Sequence, residues 1–159
     1  MRILAIDPGY ERVGIAVLEK NAGGKETIVY SDCFRTDKKA KLPARIFSIG
    51  EEIATLIKKY KPEALAIETL FMTTNQKTVM GVSEARGVII YEASRAGIAV
   101  FEYTPLQIKI AVTSYGHADK EDVRKMVKNL ITLPAKKQID DEIDAIAVGL
   151  TCFACEKFK

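Results

Sequence analysis

Arg2-Ile3-Leu4-Ala5-Ile6-Asp7-Pro8-Gly9 opens the chain, and the reading of this stretch decides the fold. Ile3 to Ile6 form an unbroken apolar run, the mark of a strand buried on both faces. The strand ends on a carboxylate, Asp7, and Pro8-Gly9 turns the chain directly after it. A carboxylate at the end of a buried strand is costly unless something pairs with it. Three later acids, Glu68, Asp141 and Asp144, also stand where an apolar element begins or ends. The four are expected to converge on divalent metal, with the rest of the chain holding them there.

Working outward, Val13-Gly14-Ile15-Ala16-Val17-Leu18 is a second apolar run, and Asn21-Ala22-Gly23-Gly24 reads as a hairpin loop before a third strand over 27–35. Short connections make these three strands antiparallel. A basic linker follows, then Pro43 at the start of a helix. Ile46, Ile49, Ile53, Leu56, Ile57 and Tyr60 give that helix one apolar face, and Lys61-Pro62 ends it. Ala64-Leu65-Ala66-Ile67-Glu68 is a short buried strand that again finishes on an acid. Reached through a long helix, it can lie parallel to the first strand. If it lies beside that strand, Asp7 and Glu68 emerge at the same sheet edge.

A loop over 69–76 leads to a long helix over 77–96, carrying Gly81, Ala85 and Gly87 and stopped by Gly97. Ile98-Ala99-Val100-Phe101-Glu102 is a fifth strand, and Thr104-Pro105 an N-cap and first helical residue. After a loop over 113–118, Asp119 caps a helix whose core face is Val123, Met126, Val127, Leu130 and Ile131. The last helix starts near Asp140, with Ile143, Ile146, Ala147, Leu150, Phe153 and Ala154 as its apolar stripe. The expected fold is α/β: a five-stranded mixed sheet, three strands antiparallel and two parallel crossover strands, flanked by helices. At 159 residues the chain suits one domain, 1–159.

No apolar run reaches the roughly 18 residues of a membrane-spanning helix. The start runs straight into a strand without the features of a signal peptide, so the cytoplasm is the expected location. Three cysteines are too few for a disulfide framework. Cys152 and Cys155 have no second pair to complete a zinc site and read as small buried apolar residues. The net charge of +3 decides little, but Lys38, Lys39 and Lys41 cluster, as do Lys58, Lys59 and Lys61, with Lys136 and Lys137 ahead of the last helix. Such runs are solvated surface or a face for a phosphate backbone.

Asp141 and Asp144 are three apart on a helix and project to one side; Asp140 and Asp144, four apart, could do the same. Asp140, Asp141 and Glu142 also suit the dipole of a helix N-terminus. Asp144, in the second turn against the apolar stripe, is not explained that way. Carboxylate oxygens are hard ligands suited to magnesium or manganese. Two such ions ~3.5–4 Å apart can hydrolyse a phosphodiester without any nucleophilic side chain. That fits a chain whose one histidine, His117, lies in a loop, as a loop residue or a phosphate contact.

At Ile6-Asp7-Pro8-Gly9 with Gly14, Ala66-Ile67-Glu68-Thr69-Leu70-Phe71-Met72, Glu84-Ala85-Arg86-Gly87, Tyr103-Thr104-Pro105 and Asp141-Glu142-Ile143-Asp144-Ala145-Ile146-Ala147, the chain resembles the RuvC family of Holliday-junction resolvases. These pieces occur in family order over essentially the whole chain. The resemblance implies an RNase H-like fold and a structure-specific endonuclease that resolves four-way DNA junctions in recombination and repair. It implies Asp7, Glu68, Asp141 and Asp144 as catalytic acids and metal ligands, with Asp141 rather than Asp140 because the family's pair is spaced by three. It implies two Mg2+, or Mn2+, per site. Phe71 matches the family's aromatic that contacts bases near the junction centre, and Lys109 and Lys120 match basic positions implicated in DNA binding or catalysis. A homodimer nicking opposed strands is implied, with a branch-migration motor complex as a further partner and a place at the nucleoid.

An exposed Phe71 could stack on unpaired bases or fold back onto the domain. The small residues of the 77–96 helix point to it as the dimer face. Three other readings compete. A YqgF-like ribosomal-RNA processing nuclease shares the fold. An actin-like ATPase fragment shares Asp7-Pro8-Gly9, but one domain cannot form its two-lobed cleft. A non-catalytic junction-binding protein would not need all four acids.

Overall fold

The computed structural model describes residues 1–70 and 76–157, so Phe71 lies outside the described residues. Three strands open the chain, β1 (Arg2–Asp7), β2 (Arg12–Lys20) and β3 (Glu26–Arg35). Helix α1 (Leu42–Tyr60), β4 (Ala64–Glu68), α2 (Gln76–Arg95) and β5 (Ala99–Tyr103) follow. Helices α3 (Pro105–Thr113), α4 (Lys120–Leu130) and α5 (Asp140–Cys155) complete it. The strands form one sheet in the order β3-β2-β1-β4-β5. The first three are antiparallel, and β1, β4 and β5 run parallel, as expected for strands joined by helical crossovers.

Period-two alternation divides the sheet between two cores. Leu4, Ile6, Val13, Ile15, Val17, Leu65 and Ile67 pack with residues of α1 and α2. Ile3, Ala5, Ala16, Leu18, Ala64 and Ala66 pack with residues of α3, α4 and α5 on the other face. Asp7 continues the Ile3–Ala5 row and Glu68 the Ala64–Ala66 row, so both acids end up on the face that α5 covers.

Several local expectations need correction. β5 runs to Tyr103, which pairs with Glu68 and is buried. In α4 the inward row is Val123 and Val127, continued at the same spacing of four by the C-cap Ile131, which leaves Leu130 half exposed. Helix α5 has no single apolar stripe: apart from Asp144 it is buried from Glu142 to Phe153, between the sheet on one side and α3 and α4 on the other. Ala154, placed on the stripe by its spacing, is exposed. Cys152 is buried and Cys155 exposed, both as free thiols. Among the described residues no helix is long and apolar enough to cross a membrane.

Candidate active site

The last paired residues of the β1–β4 ladder are Ile6 and Ile67, so Asp7 and Glu68 leave adjacent parallel strands side by side, and they share a hydrogen bond. The Glu68 carbonyl accepts from Arg86 Nε of α2 at 3.3 Å, which ties the strand end to the helix beyond it. The first turn of α5 lies across from them because Gly14, the register partner of Asp7, has no side chain. A β-carbon at Gly14 would sit 2.0 Å from the Asp141 carbonyl oxygen and 3.1 Å from Asp7 Cβ.

The structure separates the two candidates for the first acid of α5. Asp140 points outward, 71% exposed, and pairs with Arg124 at 2.8 Å. Asp141 is only 15% exposed. Its Oδ1 faces Arg12 Nε at 3.4 Å, and its Oδ2 is buried with no hydrogen-bond partner. Asp144 stands 3.5 Å from Lys120 Nζ. Asp7, Glu68, Asp144, Lys109 and Lys120 line one concavity with Pro105 and Ile108. Asp7 also lines a second, with Tyr10, Arg12 and Asp141. Asp7 is therefore common to both groups. His117 lies on an exposed loop, its ring 5.6 Å from Tyr115, and lines neither.

Confinement of like charges leaves a mark on these groups. Burial, then Glu68, Asp144 and Asp141 in turn, push the Asp7 carboxyl up to about 8, while Lys120 opposes the shift. Burial and Asp144 raise Glu68; burial raises Asp144 against the pull of Lys120. Asp144 in turn raises Lys120. Lys120 beside Asp144 and Arg12 beside Asp141 are the cations set against these carboxylates.

Among the described residues, no three His, Cys, Asp or Glu side chains converge tightly enough to hold an ion as they stand. The donor chemistry nonetheless suits divalent cations. The oxygens are hard, their mutual repulsion is only partly neutralised, and Asp141 Oδ2 is a buried acceptor without a donor. Two contributors carried no signal of their own in the sequence. Arg12 reaches Asp141 only because β2 folds back on β1, and Tyr10 joins the site only through the turn between them.

A mixed sheet of this order, with acids at the ends of adjacent parallel strands and on the helix packed over them, defines a nuclease of the RNase H-like class. The family model described as "Crossover junction endodeoxyribonuclease RuvC" matches residues 3–152. The chain is 44% identical over 156 residues to the enzyme of that description from Thermosipho melanesiensis, covering 98% of each chain. It is 41% identical over 150 residues to that from Syntrophomonas wolfei, covering 94% of this chain and 87% of the relative. Among solved structures it is similar to "T. thermophilus RuvC in complex with Holliday junction substrate", with a TM-score of 0.86, 30% identity and coverage of 95% and 92%. The chain belongs to the RuvC family of crossover junction endodeoxyribonucleases.

Proposed function

We propose that the protein resolves four-way DNA junctions by paired hydrolytic nicks, using Asp7, Glu68, Asp141 and Asp144 to hold two magnesium or manganese ions per site. The observation that carries this assignment is the convergence of carboxylates on Asp7, with Glu68 and Asp144 in one concavity and Asp141 in the next. These four carboxylates would hold the cations, which would supply Lewis-acid activation of water and charge neutralisation at the leaving oxygen. Asp7, common to both concavities, orients both parts of the site. Lys109 lines the same concavity as three of the acids and meets a phosphate oxygen. Lys120 screens Asp144 and is 86% exposed, so it can turn to the DNA. Phe71, outside the described residues, is assigned to the bases at the junction centre.

A two-fold junction calls for a two-fold dimer. Gly81 and Ala85 are taken up within the chain: a β-carbon at Gly81 would meet the Tyr10 ring at 2.8 Å, and Ala85 is buried. The outward row of α2 is Met80, Glu84, Gly87 and Tyr91, all exposed, and we assign the dimer contact to it. A DNA substrate places the enzyme at the nucleoid in the cytoplasm, with a branch-migration motor as a further partner.

The test is strand cleavage of a synthetic four-way junction, with linear duplex and structured RNA as controls, in magnesium, manganese and chelator. Symmetric nicks on the junction alone, lost in chelator, are expected. Preferential cutting of the RNA would move the assignment to ribosomal-RNA processing, and binding without nicks to a junction-binding protein.

The fold also sorts the basic clusters. β3 ends at the sheet edge that carries Asp7, because Arg35 pairs with Arg12, so Lys38, Lys39 and Lys41 follow it on the active-site side. Lys58, Lys59 and Lys61 lie at the other end of α1, about 28 Å along its axis, beside Arg2. Replacing the first three with Gln should weaken junction binding about tenfold and flatten the slope of log K against log salt by ~2–3. The same change at Lys58, Lys59 and Lys61 should do neither. Equal effects of the two triples in a salt titration would contradict this face.

A further inference from the structure

Glu142 lies between the two α5 positions assigned to the metal site and is 2% exposed. A carboxylate complementing a helix dipole from solvent would not be buried there, so that expectation does not describe it. Its Oε2 accepts from Ser31 Oγ of β3 at 3.1 Å and stands 3.0 Å from Lys136 Nζ. Lys136 also donates to the Ser31 carbonyl at 2.8 Å. Lys136 belongs to the segment that delivers the chain into α5, where the Gln138 amide bonds back to the carbonyls of Pro134 and Lys136. Three elements, β3, this segment and α5, meet at one carboxylate. The N-cap of α5, Ile139, offers no side-chain cap, so these bonds do the fastening that a cap would.

We propose that Glu142, Ser31 and Lys136 form a clamp around the buried Glu142 carboxylate that sets the orientation of Asp141 for metal binding, so that Glu142 and Lys136 are positioning residues of the nuclease site. The proposal rests on Asp141 being a ligand. A packing role alone would be met by Leu or Met without the cost of burying a charge. What a hydrogen-bonded carboxylate adds is direction. A side-chain atom about 5 Å from a helix axis moves nearly 2 Å if its turn rotates by about 20°. Such a shift would carry Asp141 Oδ2 away from the place it shares with Asp7, and geometry errors of that size lower catalysis steeply. The Lys136 ammonium also neutralises Glu142, whose unpaired charge would otherwise sit beside the site.

The experiment uses the full chain and compares Glu142→Ala, Glu142→Gln, Lys136→Met, the Glu142→Ala/Lys136→Met double variant and Asp141→Asn. Three quantities are read: the manganese concentration at half-maximal nicking, manganese binding by calorimetry without DNA, and junction affinity in chelator. Glu142→Ala and Lys136→Met are each expected to weaken manganese binding and raise the nicking midpoint ~10-fold, at unchanged junction affinity. Glu142→Gln should stay near wild type, because its amide oxygen can accept both bonds. The double variant should be no worse than either single one. Lys136 is 46% exposed, so its variant folds even where Glu142→Ala does not. A lowered Tm with unchanged metal midpoint and metal affinity would overturn the clamp and leave a packing role. Wild-type metal binding in Asp141→Asn would overturn the ligand assignment beneath it; loss there with normal Glu142→Ala and Lys136→Met would overturn the clamp alone.

Discussion

Asp7→Asn should lower nicking by ~10³-fold or more, a loss of ~4 kcal/mol of transition-state stabilisation, while junction affinity in chelator stays within about twofold. Asp7 adjoins Glu68 at the strand ends and lies where both concavities meet, so its carboxylate cannot be replaced by a neighbour. Asn keeps the size and one acceptor oxygen but removes the charge that a hard cation requires. DNA affinity is set chiefly by exposed lysines meeting phosphates, which this change leaves alone. Single-turnover nicking and a filter-binding titration separate the two quantities. Loss of both together would mean that Asp7 is structural.

The same substitution should make the protein more stable in chelator. In the unfolded chain Asp7 titrates near its ordinary value of 3.8, whereas burial and the neighbouring acids raise it to about 8 in the fold. The folded state therefore holds a proton that the unfolded state has already lost. This contribution to stability is whole below pH ~4 and falls away as pH rises towards ~8. Asn removes the penalty. At pH 8 in chelator the variant should melt about 5 °C above wild type, with the gap closing by pH 4. Manganese should raise the wild-type Tm and release a proton as it binds, and it should move the variant little. A variant melting below wild type at pH 8 would show that the crowding around Asp7 is relieved some other way.

How much of this could be read from the residues depended on how local the cause was. Asp7 and Glu68 were legible because strand alternation and a helical crossover are rules of the chain itself: the row Ile3, Ala5, Asp7 must share a face, and a parallel neighbour must end at the same edge. The choice between Asp140 and Asp141 was not settled by helical spacing, since both stand near Asp144. What distinguishes their positions is Arg124, which draws Asp140 outward, and β2, which confines Asp141. Burial of α5 on almost every side was hidden too, because its small residues resemble one apolar stripe until α3 and α4 close over it. Nothing local to Glu142 announces that Ser31, far off in the chain, will meet it. The lysine clusters looked alike in composition, and only topology sends Lys58, Lys59 and Lys61 to the end away from the acids.

Gly14→Ala should cost about 3 kcal/mol of stability and lower nicking ~10²-fold, though it adds only one methyl group. The new β-carbon would meet backbone, the carbonyl oxygen of Asp141 at 2.0 Å and its carbon at 2.7 Å, rather than the yielding end of a side chain. Only a shift of α5's first turn can make room. The far half of that helix cannot follow freely, because it is buried against the sheet, where a β-carbon at Gly149 would lie 3.1 Å from Ala5 Cβ and against the Leu18 side chain. The first turn would therefore lift while the rest stays, separating Asp141 from Asp7 and loading the Glu142 contacts. Urea denaturation gives the stability change, and manganese affinity shows whether the lost activity comes from the site. A variant that unfolds more easily yet binds manganese and nicks like wild type would mean that the first turn can move without carrying Asp141 with it. The glycine would then serve the fold alone, and the close approach of β2 and α5 would not be what holds the acids together.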